Sequence, residues 1–339
     1  MFEDKSILIT GGTGSWGNEL TTQLLEMNPK QIIIYSRSEL NQVNMQRKFN
    51  NPKLKFIIGD IRDYESIKQA TIDVEYIFHL AALKHVPICE QQPYEAIKTN
   101  ITGVNNLINA AIENNVVKVI DVSTDKAVEP MNVYGMTKAI GEKLIIHANT
   151  ITDKTSFVCI RSGNVLGTNG SVVPYFIDQV KNYNEITITD TEMTRYFLTL
   201  KQAIQLIFKA IKSSIGGETF VMKMPGYKIV DLAKIIQDEF GDEHCSVKII
   251  GKRPGEKLHE VLISRYEAEN AYIYDKDYFV ILPQINIENL KEYYKKLNLN
   301  PLNKIEYSST DYVLGYNEAK EMLIKGGFIN NNKEININL

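Results

Sequence analysis

The chain of 339 residues has only three cysteines, Cys89, Cys159 and Cys245, far apart and without a Cys-x-x-Cys pair. That excludes a disulfide framework and a zinc ribbon, and a reducing compartment fits. An excess of positive charge is also missing: 38 Lys and Arg stand against 41 Asp and Glu, a net charge of -3 with pI about 6.0. Such a balance cannot track a nucleic-acid backbone, so a small-molecule partner is expected and no nucleic acid. No apolar run approaches the roughly 20 residues of a spanning helix. Met1–Lys5 leads directly into Ile7–Ile9, without a basic and then apolar leader. We therefore expect a soluble, cytoplasmic protein with no membrane partner. His147, His244 and His259 lack metal-ligand spacing, so no metal is expected.

What is present is the composition of a globular protein, 44% hydrophobic, 9% aromatic and 23% charged with a mean hydropathy of -0.20, which excludes wholesale disorder. Strand-length apolar runs recur at Ser6–Ile9, Gln31–Tyr35, Lys55–Ile58, Tyr76–Leu80, Val117–Val122 and Ser156–Ile160, with helix-like segments between them. Alternating strand and helix predicts an α/β fold with a Rossmann-type, doubly wound parallel sheet. β-branched runs without polar alternation suit strands covered on both faces. From about Asn164 turn-rich stretches such as Gly167-Thr168-Asn169-Gly170 and Gly216-Gly217 suggest a smaller α/β substrate-binding lobe. The expected division is a first domain over 1–165, a lobe over 166–324 with elements returning to the first domain, and a poorly ordered Asn/Ile/Lys tail over 325–339.

The first strand runs into Thr10-Gly11-Gly12-Thr13-Gly14-Ser15-Trp16-Gly17 and then a helical stretch, so Gly11, Gly14 and Gly17 stand in strand-loop-helix context. Glycines let the backbone approach a pyrophosphate, and the helix N-terminus offers free N–H groups. Gly11, Thr13, Gly14, Ser15, Trp16 and Gly17 are thus candidate dinucleotide contacts. The second strand ends Tyr35-Ser36-Arg37, where an acid would grip the 2′-hydroxyl of NAD. With Ser36, Arg37 suggests a 2′-phosphate and hence NADP, while Glu39 keeps NAD as the less favoured alternative. Asp60 and Ile61 follow the third strand, where Asp60 could accept from the adenine amine; helix capping by Asp60 or Asp63 is the competing use.

After the fifth strand come Ser123-Thr124-Asp125-Lys126 and Tyr134-Gly135-Met136-Thr137-Lys138, with Tyr134 and Lys138 four apart on one helix face. Free tyrosine titrates near 10, so a base near pH 7 needs a shift of about 3 units, roughly 4 kcal/mol. A lysine ammonium and a cationic nicotinamide ring could supply it. Thr124 is a candidate to orient a substrate oxygen, with a core hydroxyl bonded to backbone as the competing use. His79, inside an apolar strand, reads as a core residue.

Here the chain resembles the extended short-chain dehydrogenase/reductases, over about residues 5 to 280, and among them the UDP-N-acetylglucosamine 4,6-dehydratases of surface-sugar synthesis. The matching segments are Thr10–Gly17, Ala81–Pro87, Lys98-Thr99-Asn100, Ser123–Val128, Met193-Thr194-Arg195 and Arg253–Glu260. The resemblance adds Ala81, Ala82, Lys84 and Asn100 to the cofactor contacts, beside Tyr134 and Lys138. It implies that Tyr134 takes the C4 hydroxyl proton while hydride passes to NADP, that Lys126 removes the C5 proton, and that Asp125 protonates the departing C6 hydroxyl. Return of the hydride to C6 leaves a 4-keto-6-deoxy sugar. A tyrosine at position 134 favours inversion at C5 over retention. Lys84 and His85 would line the sugar site, and Asn164, Arg195, Arg253 and Glu256 would meet the UDP moiety. A departure is Arg161-Ser162-Gly163-Asn164, where the family carries Tyr between Arg and Gly. Family likeness further implies a homo-oligomer, a dimer or larger up to a hexamer, through helices near Asn100–Asn114 and Met136–Ala148. The competing readings are a retaining dehydratase, a UDP-sugar 4-epimerase, and a non-catalytic NADP(H)-binding protein.

Overall fold

A computed structural model describes residues 1–167, 171–253 and 255–330. They divide into two compact units. The first comprises Met1–Ser162, Ile204–Lys223 and Ile263–Glu306; the second comprises Gly163–Ala203, Met224–Leu262 and the residues from Tyr307 on.

In the first unit the six apolar runs form β1 (Ser6–Thr10), β2 (Gln31–Ser36), β3 (Leu54–Ile58), β4 (Tyr76–His79), β5 (Lys118–Thr124) and β6 (Ser156–Ser162). Their order is β3-β2-β1-β4-β5-β6, all parallel, continued by Thr219–Met222 parallel to β6 and then by three antiparallel strands at the far edge. This is the expected doubly wound sheet. β1 is buried at every position, as a strand covered on both faces must be. β3 departs from that expectation: it is the edge strand, only partly buried, and Ile58 is 58% exposed.

The connecting helices are α1 (Ser15–Leu25), α2 (Glu39–Phe49), α3 (Tyr64–Ala70), α4 (Val86–Gln91), α5 (Pro93–Ile97), α6 (Gly103–Glu113) and α7 (Val133–Ala148). A π-helical turn, Lys98–Thr102, joins α5 to α6; such turns recur at functional sites. Strand order reverses between β1 and β4, which places the glycine loop after β1 and the segment after β4 at the switch point where open α/β sheets bind ligands.

The second unit holds a four-stranded sheet ordered Val313–Leu314, Gly226–Lys228, Thr194–Leu198, Asn164–Val165, and a parallel pair, Glu185–Ile188 with Ser246–Ile249. Helices Val172–Tyr183, Ile229–Phe240 and Tyr316–Lys325 pack around a core that includes Phe176, Phe197, Leu232, Ile236 and Leu323. Residues 325–330 are not the loose tail expected of them, because Ile329 is buried and Phe328 packs against that core. Residues 331–339, the turn residues Thr168, Asn169 and Gly170, and Pro254 lie outside the described residues. Among the described residues no helix is long and apolar enough to cross a membrane.

Candidate active site

The glycine loop is shaped by close contacts. Gly11 has φ +65, and a Cβ there would lie 2.9 Å from the Ala81 backbone. A Cβ at Gly17 would lie 2.1 Å from the Gly12 carbonyl oxygen, so α1 approaches the loop as only glycine allows. Gly14, the N-cap of α1, has no side chain to cap it, and the first turn carries no acid. Asn18 Nδ2 donates to the carbonyls of Thr13 and Gly14, both at 3.1 Å, and fixes the turn. Thr13, Ser15 and Trp16 are partly exposed on it. A close-approach loop with an uncapped helix start fits a dinucleotide pyrophosphate.

At the end of β2, Ser36 is buried and its Oγ accepts from Gln42 Nε2 at 3.1 Å. Arg37 is exposed, with Nη1 3.9 Å from Asp60 Oδ2. Asp60 is held chiefly by Arg62, through the Arg62 amide and Nε at 2.9 Å and Nη2 at 2.6 Å. Burial works against the Asp60 carboxylate, but Arg62 and Arg37 hold its pKa below the ordinary value. Helix capping falls to Asp63, which accepts from the Ser66 amide at 3.1 Å. Ile61 is buried, its side chain against Gly103, and its carbonyl accepts from Asn106. Glu39 is exposed in the first turn of α2.

The segment after β4 is tied down from two sides. Thr10 Oγ1 accepts from the Leu80 and Ala81 amides at 3.2 and 3.3 Å and lies 2.7 Å from His79 Nδ1. Asn100 accepts from the Leu83 amide and donates to its carbonyl, both at 2.9 Å, and to Thr137 Oγ1 at 3.0 Å. Buried to 1% exposure, Asn100 thus spends its amide on holding the loop with Ala81 and Ala82 against α7. Lys84 and His85 are exposed beyond it. His79 is a core residue: burial pushes its pKa down to about 4 despite Asp121 nearby.

The catalytic candidates Thr124, Asp125, Lys126, Tyr134 and Lys138 come together at the end of β5 and the start of α7. Asn132 caps α7 by accepting from the Gly135 amide at 2.9 Å, and a Cβ at Gly135 would meet the Lys126 carbonyl oxygen at 2.1 Å. That packing sets Tyr134 beside the Thr124–Lys126 turn. Thr124 Oγ1 donates to Asp125 Oδ1 at 2.8 Å, and Lys126 Nζ lies 3.0 Å from the same oxygen. Asp125 is fully buried, and its Oδ2 has no hydrogen-bond partner among the described residues; Lys126 is 27% exposed. Burial pushes the Tyr134 pKa up and outweighs Lys138, Lys126 and Thr124, so these groups alone do not give the downward shift a base requires.

The second unit carries Asn164, Arg195, Arg253 and Glu256. Arg195, 8% exposed, donates to the carbonyls of Thr194, Lys257 and Leu258 at 2.7, 2.8 and 3.0 Å and lies 3.5 Å from Glu260. Glu256 accepts from the Arg253 amide at 3.1 Å and lies 3.7 Å from Arg195. Arg195 and Glu256 therefore shape the loop that carries the exposed Arg253. Asn164 begins the short strand that pairs with Thr194–Leu198.

Residues 7–282 match the family model described as polysaccharide biosynthesis protein. The chain belongs to that polysaccharide biosynthesis protein family. With the fold, this membership bears out the resemblance to extended short-chain dehydrogenase/reductases. A UDP-N-acetylglucosamine 4,6-dehydratase (inverting) of Campylobacter jejuni is 46% identical over 289 residues, covering 84% of this chain and 85% of the relative. A UDP-glucose 4-epimerase of Rickettsia massiliae is 41% identical over 344 residues, covering 99% of this chain and 94% of the relative. Among solved structures, Pen from Bacillus thuringiensis superposes with a TM-score of 0.89 at 36% identity, covering 97% of this chain and 100% of that one.

One partner of a site residue and one anchor of α7 escape sequence reasoning. Asp121 on β5, fully buried, accepts from Lys138 Nζ at 3.1 and 3.3 Å. An acid inside an otherwise apolar strand was the available signal. Arg161 on β6 pairs with Glu142 of α7 at 2.6 Å and with Glu267 at 2.7 Å, which anchors α7 to the sheet. Glu267 lies 106 residues away in sequence, beyond any local pattern.

Proposed function

We propose that the protein catalyses NADP-dependent dehydration of UDP-N-acetylglucosamine with inversion at C5, giving UDP-2-acetamido-2,6-dideoxy-β-L-arabino-hex-4-ulose. The observation that carries the reading is the Asp125–Lys126 pair, joined at 3.0 Å beside Thr124 and Tyr134. The 46% identical inverting dehydratase supports the same reaction, and its name favours inversion.

The glycine loop would hold the pyrophosphate of a dinucleotide and the exposed Arg37 its 2′-phosphate, and the bound group would supply a hydride acceptor for C4 and a hydride donor for C6. Tyr134 Oη takes the C4 hydroxyl proton, with Thr124 orienting that oxygen. Lys138, held charged by Asp121, supplies positive charge under the tyrosine. The 4-ketone acidifies C5–H, Lys126 Nζ takes that proton, and Asp125 protonates the leaving C6 hydroxyl. Lys126 must be neutral and Asp125 protonated to do this. One proton moved across their 3.0 Å contact converts the ion pair into that base and acid together. Arg253 and Asn164, with the loop shaped by Arg195 and Glu256, are the proposed UDP contacts of the second unit. Met136 and Ile140, exposed on α7 at 48% and 47%, suit a homo-oligomer.

The 41% identical relative named a 4-epimerase supports a second reading. Asp125–Lys126 argues against it, because epimerisation at C4 needs no C6 acid. The test is Lys126→Ala. Lost dehydration with dinucleotide binding intact is expected; unimpaired formation of a 6-deoxy product overturns the assignment.

A further inference from the structure

Helix α4 (Val86–Gln91) has no part in the chemistry above, yet it holds the start of α7 at two points. The first is backbone: Glu90 Oε1 accepts from the Val133 amide at 2.6 Å. Val133 opens α7 and is the chain neighbour of Tyr134. The first N–H groups of a helix have no partner inside it, so whatever accepts from them fixes where the helix begins. Two side chains share that work here. Asn132 takes the Gly135 amide, and Glu90 takes the Val133 amide from 43 residues earlier in the chain. The first turn of α7 carries no acid of its own, so Glu90 also supplies the negative charge that a helix N-terminus favours.

The second point is the ring. Cys89, the residue before Glu90, is fully buried and forms one apolar cluster with Ala96 and Tyr134, against which Leu83, Val86 and Val133 pack. Through Glu90 and Cys89 together, α4 grips both the backbone beside Tyr134 and its side chain. A Cβ at Gly135 would meet the Lys126 carbonyl oxygen at 2.1 Å, so a shift of this first turn changes how Tyr134 sits against the Thr124–Lys126 turn.

We propose that Glu90 is a positioning residue for Tyr134, through which α4 keeps the phenol at the Thr124–Lys126 turn. Glu90 has this role on the reading of Tyr134 as the C4 base, and it has it equally for dehydration and for C4 epimerisation, since both begin by oxidising C4. It acts through the start of α7, so its loss misplaces the base and leaves the binding of substrate and dinucleotide in place.

Glu90→Ala removes the acceptor, Glu90→Asp withdraws it by one methylene while keeping the charge, and Glu90→Gln keeps an acceptor oxygen without the charge. Turnover of UDP-N-acetylglucosamine is followed by proton NMR, and NADP binding by titration calorimetry. For Glu90→Ala and Glu90→Asp, kcat is expected to fall roughly 10- to 100-fold, the scale of a catalytic group displaced by about 1 Å, with KM and the NADP Kd within about twofold of wild type. Glu90→Gln is expected to restore kcat to within about threefold of wild type, because the Val133 amide keeps its partner. Wild-type kcat in Glu90→Asp, a loss confined to KM, or a Glu90→Gln enzyme as slow as Glu90→Asp overturns the proposal. A wild type that forms neither a 6-methyl product nor the C4 epimer overturns the role of Tyr134 itself, and that of Glu90 with it.

Discussion

Lys138 Nζ sits 3.1 Å from Asp121 Oδ1 and 3.3 Å from Oδ2, an ion pair with both members buried beneath the site. Burial works to lower the Lys138 pKa, but Asp121, Tyr134 and Glu142 hold it above the ordinary value. On the proposed reading that ammonium offsets part of the burial that works against a phenolate at Tyr134. Asp121→Asn keeps the shape and removes the counter-charge. Because breaking a buried pair strands the remaining charge, a loss of about 3 kcal/mol in urea unfolding is expected. Turnover should fall at least tenfold with the substrate KM little changed.

Arg37 leaves β2 exposed, 3.9 Å from an Asp60 already engaged by Arg62. A charge-assisted contact to a 2′-phosphate contributes roughly 1.5 to 3 kcal/mol. Arg37→Ser is therefore expected to weaken NADP binding about 10- to 100-fold, with NAD binding nearly unchanged, by titration calorimetry. Equal weakening of both would remove Arg37 from the 2′-phosphate site.

The Glu142–Arg161–Glu267 triad gives stability a dependence on acid. Burial pushes the Glu267 carboxyl up, but Arg161 and Ser264 hold it down to about 2, from 4.5. A depressed carboxyl pKa contributes stability that is present above about 4.5 and lost as pH falls towards 2. Its size is about 3 kcal/mol. Glu267→Gln should flatten the stability curve in that window, read as denaturant midpoint against pH.

His79 acts in a higher window. Its folded pKa of about 4 lies below the ordinary 6.5, so the unfolded chain takes up a proton first as pH falls. The stability from neutral His79 is complete above 6.5 and lost between 6.5 and 4. His79→Gln should remove the slope between pH 6.5 and 4 while leaving that due to Glu267.

What could be read from the chain alone was what local chemistry writes locally. The parallel strands show as apolar runs, and those inside the sheet do so because both its faces are covered, as at β1; the edge strand β3 is apolar without that cover. The glycine loop shows because its spacing is its geometry. Tyr134 and Lys138 share a helix face by arithmetic. Asp121 and Lys138 meet across a strand and a helix, 17 residues apart, and no spacing announces it. The same limit hid the Glu267 partner of Arg161. Arg195 suggests a UDP contact by charge type, yet three of its N–H groups go to the carbonyls of residues 194, 257 and 258, a loop role that charge type does not reveal. Residues 325–330 looked like tail by composition, but Ile329 finds a core built from segments far earlier in the chain.

The central claim is dehydration, and proton NMR of UDP-N-acetylglucosamine with the purified protein in deuterated water tests it most directly. The account predicts a new C6 methyl signal, collapsed to a singlet because Lys126 returns deuterium to C5, with the L-arabino configuration there. Appearance of the C4 epimer without any methyl signal would contradict it.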